Sequence, residues 1–178
     1  LVADAEALPF TDNSFDLVYS AYVLEHLEKP AKVISEAIRI TAKDGFLVLI
    51  APNYGAPNRA SPPYKESRVI KFLQGLVNDF KTLFSQKIRA DLKLNKVKPI
   101  ATKDNYAIDW DTTCEPYLGS LIKFLKGKGM SIKDFTSCWS EELKGAKIHQ
   151  IIFRFLGQLG IYPFNLWGPH LVVTAKKK

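Results

Sequence analysis

Two neighbouring side chains near the start of the chain are of the types that move protons. Glu25 and His26 stand side by side, shortly after a strand-like apolar stretch. A neutral imidazole can accept a proton from an attacking nucleophile near neutral pH, which makes His26 the candidate catalytic residue. The alternative is that both side chains only organise their loop through hydrogen bonds. The sequence leaves both roles open.

The two cysteines do not form a metal or disulfide motif. Cys114 and Cys138 lie 24 residues apart, with no Cys-x-x-Cys spacing and no nearby histidine pair. This pattern argues against a zinc site and against a disulfide-stapled fold. Free thiols are typical of a reducing compartment, so we expect a cytoplasmic protein. No apolar run approaches the ~20 residues of a membrane span.

The net charge of +7 is unevenly distributed along the chain. Residues 1–57 contain four basic and eight acidic residues, whereas residues 65–103 contain ten basic and three acidic ones. Three interpretations of the basic segment stay open: a solvated cap over a pocket, a surface for anionic lipid, and an RNA-binding surface that lacks any recognisable RNA module. The lipid interpretation uses Lys71, Lys81, Lys87, Arg89, Lys93 and Lys96 beside Phe72, Phe80 and Phe84.

The apolar pattern predicts a strand–helix–strand unit that positions Glu25 and His26. The run FDLVYS at 15–20 reads as a buried strand, residues 28–41 have the 3.6-residue period of a helix that ends at Asp44-Gly45, and FLVLIA at 46–51 is apolar on both faces. Such a unit is a βαβ crossover with two parallel strands. Open α/β sheets bind ligands at the carboxyl ends of their strands.

The rest of the chain predicts an insertion and a second group of elements. An amphipathic helical pattern at 66–91, flanked by lysines, contributes neither a sheet strand nor a short connector, so we interpret it as a cap on the domain. The further predictions are helices at 116–128 and 140–157 and strands at 130–139 and 171–175. The apolar side of the helix at 140–157 fits a core, a dimer face or a membrane contact.

Several motifs in a fixed order resemble one enzyme family. The stretches DAEALPF, FDLVYSAYVLEHL and DGFLVLIAPN are similar to the second half of a class I S-adenosylmethionine-dependent methyltransferase with a type 11-like domain. The similarity is specific over residues 1–53 and fainter afterwards. It implies an α/β fold: a Rossmann-like class I methyltransferase sheet with helices on both faces, incomplete at the N-terminus, with a helical insertion after the fifth family strand.

The resemblance also implies which residues bind the cofactor, S-adenosyl-L-methionine. Asp4 would accept a hydrogen bond from the adenine amino group, the backbone N–H of Ala5 would donate to the adenine ring, and Ser20 and Ala21 would line the methionine part. The alternatives are a solvated loop acid for Asp4 and a serine bonded to backbone for Ser20. We expect no metal, because Tyr22 stands where some metal-using relatives carry a glutamate.

The family's glycine-rich loop, which wraps the cofactor, has no counterpart among the ten glycines. We therefore expect it before residue 1, in about 60 residues that form two further βα units, so that this chain is an N-terminally truncated methyltransferase. The expected organisation is a C-terminal half of the cofactor-binding core at 1–53, a variable basic cap at 54–112, and helices and strands at 113–178 that complete the same domain.

The predicted function is methyl transfer to an O or N nucleophile of a small or lipid-linked metabolite. A non-catalytic membrane- or partner-binding module on a methyltransferase-like scaffold is the first alternative, and a tRNA-modifying methyltransferase is the second. The expected partners are the small-molecule or lipid-linked acceptor and, peripherally, an anionic membrane, whereas a nucleic acid is not expected. The oligomeric state and the acceptor atom do not follow from the sequence.

Overall fold

The computed structural model describes residues 1–84, 91–100, 107–137 and 148–178. Its helices and strands are, in chain order, β1 (Phe15–Ala21), a 3₁₀ turn (Leu24–His26), α1 (Pro30–Ile40), β2 (Thr41–Pro52), α2 (Arg68–Phe84), β3 (Asn95–Lys96), β4 (Cys114–Glu115), α3 (Leu118–Gly127), β5 (Ser131–Thr136), α4 (Ile148–Gln158) and β6 (His170–Lys176). The predicted positions Lys87, Arg89 and Cys138 lie outside the described residues, as do the side chains of Lys81 and Phe84.

The main sheet has four strands in the order β1-β2-β6-β5. Strands β1 and β2 pair in parallel, and β6 is antiparallel to both of its neighbours. The parallel β1–α1–β2 unit confirms the predicted βαβ crossover and the α/β fold class. Because the two strands run in the same direction, Ala21 and Pro52 end them at the same edge of the sheet.

The turn signal Asp44-Gly45 lies inside a strand instead of ending the helix. Helix α1 stops at Ile40, and β2 begins at the next residue. Asp44 has a φ of 66°, and a Cβ at Gly45 would lie 2.9 Å from the carbonyl oxygen of Asp16. The two residues therefore make an irregularity within β2, where the chain approaches the backbone of β1 too closely for any side chain.

One apolar cluster packs between the sheet and two helices. Alternate residues of β2 and β6 point to the same face, where α1 and α3 cover them. The fully buried members of this cluster include Leu47, Leu49, Ala51, Leu171, Val173 and Ala175 from the strands and Ile34, Leu118, Leu121 and Leu125 from the helices. Both helices thus protect one face of the sheet.

The opposite face of the sheet keeps apolar side chains in contact with solvent. Leu17 and Tyr19 of β1 are 58% and 72% exposed, and Phe46, which pairs with Leu17 across the strands, is 40% exposed. Among the described residues, β1 also has a neighbour on one side only. Helices α1 and α3 pack on the other face of the sheet, against the buried cluster described above. Within the same described ranges, no helix is long and apolar enough to cross a membrane.

A buried asparagine joins three segments at the end of β2. The Nδ2 group of Asn53 donates to the carbonyl oxygens of Leu166 (2.7 Å) and Gly168 (2.9 Å), and its Oδ1 accepts the backbone N–H of Leu118 at 3.1 Å. Leu118 is the first residue of α3, whose initial N–H groups have no partner within the helix. One side chain therefore fixes the start of α3 and the loop that enters β6.

Replacing Asn53 by alanine should destabilise the fold strongly. The change leaves two carbonyl groups and one N–H group buried without partners, so we expect the free energy of unfolding to fall by about 3 kcal/mol in a urea titration. Asn58→Ala is the matched control, because Asn58 is exposed and should change stability by less than about 0.5 kcal/mol. Equal midpoints for the two variants would contradict the role given to Asn53.

Candidate functional site

Glu25 and His26 lie on the short turn that follows β1. Tyr22 leaves the strand with a positive φ of 53°, and its backbone N–H donates to the carbonyl oxygen of Ile50 at 2.9 Å. The chain then forms the 3₁₀ turn, in which Leu24 is 1% exposed and anchors the turn in the core. This local geometry places Glu25 and His26 at the carboxyl end of the parallel strands, as the sequence predicts.

A distant segment is clamped onto this turn by hydrogen bonds. The backbone N–H of Thr113 donates to the carbonyl oxygen of Glu25 at 2.8 Å, and its hydroxyl donates to that of Leu27 at 2.9 Å. The thiol of Cys114 donates to the carbonyl oxygen of Leu24 at 3.1 Å. The clamp brings the residues just before Thr113 to the side chains of the turn.

Two aspartates from that segment complete a cluster around His26. The Nε2 atom of His26 lies 3.6 Å from Glu25 Oε1, and its Nδ1 atom lies 3.1 Å from Asp111 Oδ2. Asp109 sits nearby with a φ of 63°, and its carboxylate accepts the hydroxyl of Tyr54. The imidazole therefore lies between carboxylate oxygens that come from two distant parts of the chain.

Burial sets the protonation of two groups in this cluster. Glu25 is 1% exposed, and burial raises the pKa of its carboxyl above the usual range. Burial and the neighbouring Asp109 carboxylate raise the pKa of the Tyr54 hydroxyl in the same way. Tyr54 therefore remains a hydrogen-bond donor at every physiological pH, and the cluster keeps Asp109 in one orientation.

The loop that contains Asp4 is fastened to α1 by one arginine. The guanidinium of Arg39 donates to the carbonyl oxygens of Leu8 (3.0 Å) and Phe10 (2.7 Å). Asp4 itself is exposed, and its Oδ1 accepts the backbone N–H of Glu6 at 2.8 Å. Asp4 thus stabilises a tight turn of its own loop, which is the solvated-acid alternative, and its predicted contact with adenine stays a prediction.

The other predicted cofactor residues lie where the resemblance places them along the chain. Ala5 is half-buried in the Asp4 turn, while Ser20 and Ala21 are the last two residues of β1, half-buried and exposed respectively. Ser20 pairs with Leu49 and Ala21 with Ile50 of β2. Both therefore sit at the strand end next to the His26 turn, and their roles towards a cofactor stay predictions.

One lysine assigned to a lipid-facing surface is buried instead. Lys71 is 5% exposed, and its ammonium group donates to the carboxylate of Glu115 and, at 2.9 Å, to the carbonyl oxygen of Tyr54. The same carboxylate accepts the backbone N–H and the hydroxyl of Ser61 at 2.8 and 2.9 Å. Lys71 therefore cannot meet a lipid headgroup, and its place in the predicted set is wrong because a partner 44 positions away in the sequence neutralises it.

Sequence reasoning missed the residues that reach the turn from a distance. Thr113 contacts Glu25 across 88 positions of sequence, and neither Asp109 nor Asp111 belongs to a recognisable motif. The one available signal is their charge, because this acidic pair follows a segment that is otherwise basic. A change from a basic to an acidic segment indicates that these aspartates could make a contact, but it does not predict which residue they contact.

Comparison with known proteins identifies the first part of the chain. Residues 1–49 match the family model of a methyltransferase domain, which confirms the resemblance over that segment. Tocopherol O-methyltransferase from Arabidopsis thaliana is 27% identical over 126 residues, covering 68% of this chain and 34% of that protein. Ajmaline N-methyltransferase from Rauvolfia serpentina is 24% identical over 124 residues, covering 68% of this chain and 40% of that protein.

A solved structure with a similar fold is an S-adenosylmethionine-dependent methyltransferase from Mesorhizobium loti. It is 16% identical, with a TM-score of 0.49, and the match covers 98% of this chain and 68% of that one. The chain matches well under half the length of the two curated relatives, 34% and 40%. Similarity over this part of their length does not by itself assign the activity of these relatives to the chain.

The thiol of Cys114 should resist alkylation in the folded protein. Burial raises the pKa of Cys114 to about 11, so that about 0.3% of it is thiolate at pH 8.5, against about half for an ordinary cysteine. We expect iodoacetamide to modify Cys114 at least a hundredfold faster in urea than in buffer, as measured by peptide mass spectrometry. Equal rates in the two conditions would mean that the clamp at Leu24 is open.

Proposed function

We propose that this chain, whose residues 1–49 match a methyltransferase domain, is part of an S-adenosylmethionine-dependent methyltransferase that acts on an O or N nucleophile of a small or lipid-linked metabolite. The observation that carries the proposal is the meeting of Ser20, Ala21, Glu25 and His26 at the carboxyl end of β1, beside the loop of a matched domain. The two relatives, an O- and an N-methyltransferase by name, support both acceptor atoms.

The residues at the strand end suit the cofactor that the family implies. An ionised carboxylate offers about four lone-pair positions, so Asp4 can accept the adenine amino group while it keeps the N–H of Glu6. The backbone N–H of Ala5 is the donor for the adenine ring, and Ser20 and Ala21 line the methionine part. When bound, S-adenosylmethionine supplies an electrophilic methyl group on a sulfonium.

We assign to His26 the contact with the methyl acceptor. Methyl transfer from a sulfonium depends mostly on the orientation of the nucleophile, and a base adds to it when the nucleophile carries a proton. Asp111 Oδ2 lies 3.1 Å from Nδ1, and Glu25 Oε1 lies 3.6 Å from Nε2, so Nε2 is the ring nitrogen on the Glu25 side. His26 therefore either removes the acceptor's proton or orients the acceptor by a hydrogen bond.

The exposed sheet face supports the proposal that residues before position 1 complete the enzyme. Leu17, Tyr19 and Phe46 present apolar surface that a soluble fold normally covers. A further strand–loop–helix would cover this face, pair with the edge of β1 that has no neighbour among the described strands, and supply the glycine-rich loop that the resemblance implies. Such a segment would also place the loop at the same sheet edge as Ser20.

Calorimetry on the natural polypeptide, including whatever precedes position 1, tests this proposal. We expect S-adenosylmethionine to bind at micromolar concentration, and Asp4→Ala to weaken binding by about 1–3 kcal/mol because it removes the partner of the adenine amino group. Asp16→Ala is the control, because Asp16 is an exposed carboxylate on β1 and should leave affinity unchanged. The absence of any heat at high micromolar ligand would refute the proposal.

A second candidate, a membrane-binding module, is favoured by the two sides of α2. Its inner side carries Lys71, Gly75 and Asp79 at intervals of four residues, with Gly75 packed so closely that a Cβ would lie 2.5 Å from Pro57. Its outer side exposes a row of apolar residues: Val69 (68%), Leu73 (56%), Val77 (51%) and Phe80 (63%). Helix α4 also exposes a set of apolar residues, namely Ile148, Ile151, Ile152 and Phe155. Exposed apolar rows beside basic side chains are typical of helices that lie in a lipid interface.

Flotation with vesicles separates the two candidates. If α2 inserts into an anionic surface, Val77→Glu should lower the fraction bound to phosphatidylserine-containing vesicles about tenfold, whereas Gln74→Glu adds the same charge at another exposed position of α2 and should have a smaller effect. Binding should also weaken as salt increases. Binding that ignores lipid charge and salt, or that both variants reduce equally, would exclude this candidate.

A further inference from the structure

Buried carboxylates elsewhere in the described ranges have strong donors. Glu115 accepts from Lys71, and Asp79 accepts the indole N–H of Trp167 at 2.9 Å. Glu25 differs, because its Oε2 atom is buried and makes no hydrogen bond although the residue is only 1% exposed. An ionised carboxylate oxygen in such a position costs several kcal/mol unless a cation approaches it.

The groups around Glu25 add negative charge that a cation would neutralise. Atoms of Glu25, His26 and Asp109 that can serve as ligands all lie within 4.8 Å of one another. With Asp111 at the imidazole, three carboxylates surround one histidine in a chain whose net charge is +7. Like charges at this spacing oppose one another, so a bound cation would relieve their repulsion.

We propose that Glu25, His26 and Asp109 form a binding site for a divalent transition-metal cation such as Mn²⁺ or Zn²⁺. An imidazole nitrogen with two carboxylates is a donor set that these cations accept, and three protein ligands leave positions open for water or a substrate oxygen. The ligands come from two parts of the chain that the Thr113 clamp brings together. Tyr22 is not needed, because Asp109 supplies the second carboxylate.

The groups behind the three ligands support this assignment. Asp111 Oδ2 lies 3.1 Å from His26 Nδ1, at ion-pair distance but without a hydrogen bond, and Nε2 lies on the side of Glu25. The Tyr54 hydroxyl donates to Asp109 and fixes that carboxylate. In protein metal sites, a carboxylate often lies next to the ring nitrogen of a histidine ligand that does not bind the metal, and a hydrogen-bond donor often contacts an acidic ligand.

The role of the cation rests on the proposed function, but its binding does not. With the cation bound, His26 would act as its ligand instead of as a base. An acceptor hydroxyl or phenol at an open position would then lose its proton more readily, since a metal ion lowers the pKa of the oxygen it binds. Metal binding is therefore measured without S-adenosylmethionine or acceptor. A failure of metal binding leaves the calorimetric test of the cofactor unaffected, and the reverse holds as well.

Electron paramagnetic resonance with Mn²⁺ alone tests the site. The signal of free Mn²⁺ should disappear with one equivalent of protein, and Zn²⁺ should restore it by displacement. Asp109→Asn should weaken Mn²⁺ binding at least about tenfold, and asparagine tolerates the positive φ at this position. Asp16→Asn, an exposed acid on β1, is the matched control and should bind like the natural protein.

A second variant distinguishes a ligand from its support. Asp111→Asn should weaken Mn²⁺ binding by about tenfold because it removes the negative charge beside His26, while the thermal midpoint without metal stays within a few degrees of the natural value. His26→Gln should abolish the one-equivalent stoichiometry. The proposal is overturned if neither Mn²⁺ nor Zn²⁺ binds at millimolar concentration, or if Asp109→Asn and Asp16→Asn bind alike.

Discussion

The buried amide of Asn53 is the interaction on which the arrangement of the site depends. It joins the end of β2 to the first residue of α3 and to the loop that enters β6. Because β4 lies only two residues before α3, the start of α3 also determines where Cys114 and Thr113 lie. Those two residues hold the aspartates against His26. The acidic cluster thus depends on a hydrogen-bond network that begins at the end of β2, in addition to its own contacts.

The parts of the fold that the sequence predicts well are those with local causes. Strand β1, helix α1 and strand β2 follow from apolar periodicity within about 35 residues, and the carboxyl-end position of Glu25 and His26 follows from their order. Asp44-Gly45 was misassigned to the helix end because a left-handed residue before glycine looks the same in a turn and in a strand irregularity. What makes the difference is the backbone of Asp16, which approaches Gly45 from another strand. No local pattern contains that contact.

Charge counting along the chain has the same limit. The basic surplus of residues 65–103 is real, yet Lys71 contributes nothing to the surface because Glu115 neutralises it in the interior. Conversely, Asp109 and Asp111 lie just beyond the basic segment but meet His26 near the acidic start of the chain. The charged pairs Lys71–Glu115 and His26–Asp111 are 44 and 85 positions apart in sequence, so the charge counted over a window of sequence does not reveal them.

Several energetic costs of the fold coincide at the His26 turn. Tyr22 and Asp109 both have positive φ values, which non-glycine residues rarely adopt, and the Oε2 atom of Glu25 is buried without a hydrogen bond. A turn that served only to connect β1 with α1 would need none of these features, and an apolar residue in place of Glu25 would remove the largest cost. The hydrogen bonds of Thr113 and Cys114 maintain the arrangement against those costs. Two residues with positive φ and an unpaired buried carboxylate oxygen lie together at the carboxyl end of the parallel strands, where hydrogen bonds from a distant segment hold them. Such a combination indicates a site shaped for binding rather than for stability.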